Sequence, residues 1–429
     1  MIGIYMFIGA LILLLLGFPV AFAFGTVAII VAYFTPDLGL EVFNLLPFRI
    51  YGIMQNFTLI AVPLFIFMGL VLEKSKIAEN MLVSVGELFG NIRGGLAVST
   101  VIVGAVLAAS TGIVGASVVM MSVISLPIMI KYGYSKKLAT GTIAASGTLG
   151  QIIPPSIVLI IIGDVMSISV GDLFKAAVGP SLVLVGFYIA YILILSFINP
   201  SVAPAIKDNS KPRSQVVKEA IVSIIPPMIL IVAVLGSIFF GIASPTESAA
   251  IGALGAIILT IVTKTFKFET LKYASIETVK LTGMIFMILI GATAFSLVFN
   301  ESGAADLVLE FFEEDVGNQW IFIATAMITI FLLGFFVDFL EISFIVLPIL
   351  VPIVESFNID PIWFAILVAM NLQASFLTPP FGFALFYLKG AAGDKVSTSD
   401  IYKGVLPFIA LQILTLFVLI FYPDIINIF

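Results

Sequence analysis

Two stretches set chemistry-bearing residues inside otherwise unbroken apolar runs: GTLGQIIPPS at 147–156 and NLQASFLTPPFG at 371–382. Each contains a Pro-Pro pair. Proline has no backbone N–H and restricts the residue before it, so two in succession beside glycines should interrupt a membrane helix. Interrupted backbone at membrane depth is tolerated only where it is buried in protein or lines a cavity. Helix N-termini at such a break offer free N–H groups and a positive dipole end to an anion. Helix C-termini and unwound carbonyls suit Na⁺, and paired breaks in two half-chains point to a transporter's binding site.

A second pair of stretches supplies hydroxyls and carboxylates. The run 94–130 carries no charge, and its middle, AASTGIVGAS, is rich in small residues; the run 320–354 holds only Asp338 and Glu341 as carboxylates. Both are read as helical hairpins whose tips meet the breaks, although two ordinary spans remain the alternative for the first. One Na⁺ is then expected at Ser110, Gly112, Gly147, Thr148 and Gly150, and a second at Gly334, Asp338, Ser375 and Thr378. The organic anion would be held by Ser110, Thr111, Gly112, Ser117, Gln151, Pro155, Ser156, Asn371, Thr378 and Pro380. Glu341, one helical turn from Asp338, is the coupling candidate, because intramembrane carboxylates are costly and functional by default. The competing readings are tight helix packing by small residues and carboxylates placed near water.

Composition narrows the chemistry. The 429 residues are 61% hydrophobic and 10% charged, with a mean hydropathy of +1.25, which places the chain among polytopic helical membrane proteins. Continuous apolar runs argue against a β-barrel. There is no cysteine and no histidine, so disulfides, thiolate metal sites and the usual proton shuttle are excluded. A serine protease reading of Ser146 lacks its histidine base, HExxH is absent, and so is a GxxxxGK[ST] loop. A channel has no evident filter or charged ring.

The elements that must position these residues repeat. Pro127 and Pro348 are 221 residues apart, Pro155 and Pro380 are 225 apart, and Asp172 and Asp400, opening DLFK and DIYK, are 228 apart. This divides the chain into an N-terminal span and interfacial segment (1–57, one tilted or broken span kinked at Gly17-Phe18-Pro19), a first repeat (58–198, hairpin 94–130), connecting scaffold spans and an interfacial arm (199–280), a second repeat (281–422, hairpin 319–354) and a tail (423–429). Lys and Arg flip between the repeats: 73–93 has three and 301–315 none; 131–137 has three lysines and its partner none; 163–171 has none and its partner carries Lys389 and Lys395. By the positive-inside rule the repeats are inverted, with a cytoplasmic N-terminus, nine crossings, two hairpins and a periplasmic C-terminus.

The sequence resembles the large membrane subunit, DctM-like, of the TRAP (tripartite ATP-independent periplasmic) transporters. The matching words are PLFIFMG (63–69), GNIRGGLA (90–97), LPIMIKYGY (126–134), GTLGQIIPPSI (147–157), SPTESAA (244–250) and TPPFGFALFYL (378–388), and they span nearly the whole chain. The resemblance implies an all-α membrane protein of two inverted-topology repeats with an elevator-type ion transporter fold. It implies Na⁺ as the co-transported ion, no organic cofactor and no enzymatic activity, in a bacterial or archaeal inner membrane. Its partners would be a small four-helix membrane subunit, expected as a separate chain because no four-helix extension precedes Met1, and a periplasmic substrate-binding protein. Where many relatives carry a Ser-Gly-Ser type hairpin tip, this chain has STGIVG at 110–115. DFLEISFIVLP (338–348) and MNLQASFLTPPFGFALFYLKG (370–390) look like the subgroup linked to 2-oxo acids, lactate and similar organic anions; a C4-dicarboxylate is a further candidate. An ion channel or a binding-protein-independent anion exchanger is the alternative.

Overall fold

The structure, a computed structural model, describes residues 2–35, 38–111, 114–206 and 211–427, the side chains of 110 and 111 excepted. The described residues form helices and no strands, as expected where hydrocarbon leaves the backbone no other partner than itself. Seven of these helices are long and apolar enough to cross a membrane, and Leu40–Met54 with Thr58–Lys74 forms a further apolar pair bent by 61°.

The N-terminal segment departs from a single kinked span. Ile2–Leu15 and Val20–Phe34 are separate helices. A side chain on Gly9 would meet Val27 at 3.5 Å, whereas a straight helix would hold those two positions about 27 Å apart. The chain therefore folds back. Gly17 makes this possible by taking φ +86°, a conformation that costs other residues a clash, and Phe18 N–H closes the turn on the Leu13 carbonyl. A long helix, Phe268–Glu301, absorbs both the lysine-rich interfacial stretch and the span after it. Val20–Phe34 packs along it, with Gly291 set against the backbone of Ala21 and Phe295 edge-on to Phe7 and Phe24.

The repeats are built alike. The first hairpin has arms Gly95–Thr111 and Val114–Lys131. The second has arms Gln319–Leu333 and a helix from Phe339 to Ser356, which is α-helical to Glu341, π-helical over Ile342–Val346, and α-helical again over Leu347–Ser356. The first broken helix runs Lys136–Thr148, breaks, and resumes as Ile157–Val165; the second runs Pro361–Leu377 and resumes as Phe383–Ala392. Both breaks contain a cis Pro-Pro bond, Pro154-Pro155 and Pro379-Pro380.

Closing helices follow, Val170–Ile198 and Thr398–Phe421. Their starts explain the Asp landmarks. Ser169 accepts from Asp172 N–H at 3.3 Å, and Ser397 accepts from Asp400 N–H at 3.1 Å while the Asp400 carboxylate takes the Ser397 N–H and hydroxyl. DLFK and DIYK are thus the first turns of two equivalent, serine-capped helices. SPTESAA has the same explanation: Ser244 and Glu247 form a capping box at Pro245–Val262, and Thr246 donates to the Phe57 carbonyl at 2.7 Å.

The repeats exchange contacts. Phe383–Ala392 of the second lies on the Val114–Lys131 arm of the first hairpin, and Ile157–Val165 of the first lies on the π-helical arm of the second. Lys136–Thr148 packs along Thr398–Phe421. Gly141 and Gly404 meet there, and a side chain on either would run into the other helix's backbone, the close approach that small residues permit within a membrane.

Candidate functional site

The first break unwinds one turn at a time. Thr148 donates to the Ala145 carbonyl at 2.9 Å, a 3₁₀ turn follows over Leu149–Gln151, and the chain then leaves helical geometry until Ser156. Ser156 donates to the Gln151 carbonyl at 2.7 Å and accepts from Leu159 N–H at 3.4 Å. It ties the two ends of the break and caps the resumed helix, whose first N–H groups have no partner within the helix itself. A side chain on Gly147 would overlap Val118 in one arm of the hairpin; one on Gly150 would meet the Ala108 carbonyl in the other at 3.4 Å. The two glycines seat the break between both arms. Thr148, Gln151 and Ser156 are fully buried, as are Pro154 and Pro155. Gln151 presents both side-chain amide atoms with no hydrogen-bond partner among the described residues.

The second break has the same plan with different residues. Thr378 donates to the Ala374 carbonyl at 2.7 Å, and its own carbonyl accepts from Gly382 N–H at 3.0 Å. Asn371 donates to the Met327 carbonyl of the second hairpin at 2.6 Å, binding hairpin to broken helix. Ser375 donates to the Leu372 carbonyl at 2.8 Å, and Gly334 lies so close that a side chain there would strike the Ser375 hydroxyl. Gly334 and Ser375 of the expected second cation set therefore meet where the hairpin turn touches the broken helix, and Thr378 lies one turn beyond Ser375, its N–H on the Ser375 carbonyl. The fourth, Asp338, caps the helix leaving that turn, accepting from Phe339 N–H at 2.6 Å. Pro380 is exposed, and its carbonyl accepts from Tyr402 at 3.0 Å.

Of the first hairpin's tip, Gly112 and the side chains of Ser110 and Thr111 lie outside the described residues. Ser117 is buried in the second arm. Next to it, a side chain on Gly115 would press on the Tyr387 ring at 2.9 Å, so the first hairpin abuts the resumed helix of the second repeat.

Glu341 is 3% exposed, and its Oε2 has no hydrogen-bond partner among the described residues. It lines a crevice of about 120 Å³ against Phe7, Leu11, Leu14 and Phe24 of the N-terminal helix pair. The π-helical turn begins at the next residue, a geometry that recurs at functional positions.

The motif pattern passes over Gln373 and Ser343. Both are fully buried, and the Gln373 amide and Ser343 hydroxyl have no partner among the described residues. Gln373 sits within NLQASFLTPP, and its signal was a second glutamine close to a second Pro-Pro pair. Buried polar groups of this kind are normally satisfied. A buried glutamine with both amide atoms unpaired thus lies near each break, and Gln412 in the last helix shares that state.

Comparison with known proteins agrees with this architecture. Residues 7–425 match the family described as tripartite ATP-independent periplasmic transporter, DctM component. The chain is 30% identical to the ectoine TRAP transporter large permease protein TeaC of Halomonas elongata, over 96% of this chain and 95% of that one. It is 29% identical to the sialic acid TRAP transporter large permease protein SiaM of Vibrio cholerae, over 97% and 95%, and 28% identical to the C4-dicarboxylate TRAP transporter large permease protein DctM of Pseudomonas aeruginosa, over 92% and 90%. The crystal structure of the YdaH transporter of Alcanivorax borkumensis shares the fold, with a TM-score of 0.64 at 13% identity, covering 97% of this chain and 99% of that one.

Proposed function

Because the chain belongs to the DctM-component family of tripartite ATP-independent periplasmic transporters, we propose that it is the multi-span permease of a Na⁺-coupled importer for a small organic anion. As a TRAP large permease it is a transport subunit and not an enzyme. The observation that carries the finer reading is the pair of interrupted helices, each wedged against its own hairpin and reaching across to the other's. Neither hairpin-and-break unit stands apart from the other. Together they bring helix ends, hydroxyl lone pairs and the unpaired amides of Gln151 and Gln373 near the two breaks.

In this reading an anion lies against the Ser156-capped helix start and the two amides. Na⁺ is held by carbonyls and hydroxyls at the two hairpin–break junctions, with Gly147, Thr148 and Gly150 at one and Gly334, Asp338, Ser375 and Thr378 at the other. Thr148, Ser375 and Thr378 donate their protons to backbone carbonyls, which leaves their lone pairs for a cation. Glu341 tunes the ion coupling from the seam between the second hairpin and the N-terminal pair. The hairpins and broken helices move as an elevator against the scaffold. A small four-helix membrane subunit and a periplasmic substrate-binding protein complete the system in a bacterial or archaeal inner membrane. The relatives' names span ectoine, sialic acid and C4-dicarboxylates, so the substrate is proposed only as a carboxylate, with 2-oxo acids and lactate tested first.

The test is uptake into proteoliposomes holding this chain and its small subunit, with the cognate binding protein outside, across a panel of carboxylates. Uptake that requires both an inward Na⁺ gradient and the binding protein is expected. Uptake indifferent to Na⁺, or undiminished without the binding protein, overturns the reading in favour of a channel or an anion exchanger.

A further inference from the structure

The base of the first hairpin holds a cavity that the transport reading leaves unused. Nine of the chain's 19 Lys and Arg residues fall in 74–93, 131–137 and 211–218, and the three segments come together here. Lys211 bonds Glu87 at 2.9 Å and Glu219 at 2.8 Å. Gly94 N–H bonds the Ala203 carbonyl, Ile206 N–H the Gly90 carbonyl, and Ser135 N–H the Val202 carbonyl. These ties stitch the loop after the first repeat onto the hairpin base and to the amphipathic helix Lys76–Phe89.

Between them lies a cavity of about 240 Å³ with three kinds of wall. Its floor is polar, from Ser99, Thr100 and Ser125 of the two hairpin arms. Ser99 and Thr100 donate to backbone carbonyls, whereas the Ser125 hydroxyl, on a residue only 6% exposed, has no partner among the described residues. Its rim carries Lys131 and Lys211. Lys211 is committed to two carboxylates, whose hydrogen bonds push its pKa up to about 12. Lys131 makes no ion pair among the described residues; its nearest aromatic neighbour is the Tyr132 ring, 5.7 Å away. Glu87, paired with Lys211, and Asn91 and Tyr132 also line the cavity; the rest of its wall is apolar, and Val83 on it is 42% exposed. A cavity with an unpaired hydroxyl below, an unpaired cation at the mouth and an apolar exit has the pattern of an anionic headgroup joined to a hydrocarbon chain. Basic pockets between helices at the cytoplasmic face take such headgroups.

We propose that this cavity binds the phosphate ester headgroup of a membrane phospholipid, with Lys131 and Ser125 holding the phosphate and the chain leaving past Val83. The lipid would bridge the amphipathic helix and the hairpin.

The test uses the full-length chain purified in detergent and titrated with phosphatidylglycerol, with bound lipid counted by native mass spectrometry. Parent protein should hold one lipid more tightly than Lys131→Gln by about fivefold, the effect of one lysine near a headgroup, and Ser125→Ala should weaken it further. Lys131 is exposed, so the first variant keeps its fold, which an unchanged melting temperature without lipid verifies. Equal retention by parent and both variants overturns the proposal. So does displacement of the lipid by sn-glycerol 1-phosphate at equal concentration, since the shared phosphate ester would then come from a soluble compound and the apolar exit would have no role.

Discussion

At Glu341 the chain sets a carboxylate where its neighbours are phenylalanine and leucine. Such a group is stable only when neutralised or paired, so under the proposed function its state would follow the cation held at the second hairpin. Glu341→Gln keeps the shape and removes the charge. If Glu341 tunes coupling, the Na⁺ concentration for half-maximal uptake shifts about fivefold or more, the low end of typical coupling free energies, and the pH profile flattens while binding-protein docking is unchanged. A variant matching the parent in both would leave the carbonyls and hydroxyls as the only ion ligands. Gly334 makes a narrower case. A methyl there strikes the Ser375 hydroxyl, so Gly334→Ala should cost about 1–3 kcal/mol through overpacking and lower the melting temperature. Adding Ser375→Gly removes the obstructing group and should recover most of that loss, a coupling that a double-mutant cycle reads directly. Additive losses would place the damage elsewhere.

Among the elements, the two closing helices show how a sequence repeat becomes a structural one. Ser169→Ala and Ser397→Ala each delete an N-cap and should each cost about 1 kcal/mol, read as lowered thermal stability. Because Asp400 reaches back to Ser397 while Asp172 instead lies 3.7 Å from Lys175, the Ser397 variant should be the more destabilised. The Pro-Pro breaks and the glycines were legible in the sequence because each acts on its own few residues of backbone, whereas the serine caps showed only as the DLFK and DIYK landmarks. The fold-back at Gly17 was not, since the same Gly-Phe-Pro signal serves a kink or a reversal, and only Val27 and Phe295, distant in sequence, decide between them. That one ambiguity also hid the crevice around Glu341, half of which is the folded-back pair. Gln373 escaped for a related reason. Its one mark in the sequence is its place near the second Pro-Pro pair, and its unpaired amide is a property of the packed interior.

Across the whole molecule, the two breaks are equivalent in plan and unequal in burial. Gln151, Pro154, Pro155 and Ser156 are sealed, whereas Pro380 and Phe381 are exposed. Tyr402 bonds the Pro380 carbonyl from just inside the start of the last helix, so the open break faces the end of the molecule that carries the 393–398 turn. Lys389, Lys395 and Lys403 border that turn, and the positive-inside rule predicts that it is cytoplasmic. In the proposed transport cycle the repeats exchange this inequality, the break sealed in one state being the one uncovered in the other. The chain's lack of cysteine makes the exchange measurable. In oriented membranes without substrate, a cysteine replacing Phe381 should react with a membrane-impermeant maleimide from the cytoplasmic side. One replacing Ile152, which has no exposed surface, should not react from either side. With Na⁺, substrate and the binding protein present, Ile152→Cys should become reactive from the periplasmic side while Phe381→Cys slows. Two controls fix the orientation independently: Lys137→Cys at the base of the first hairpin should label from inside, and Glu355→Cys at the base of the second from outside, both positions being exposed. Labelling of Lys137→Cys and Glu355→Cys from the same side would refute inverted repeats. Correct controls with a Phe381→Cys that never reacts would mean that its exposed face meets lipid, and that the second break is no doorway.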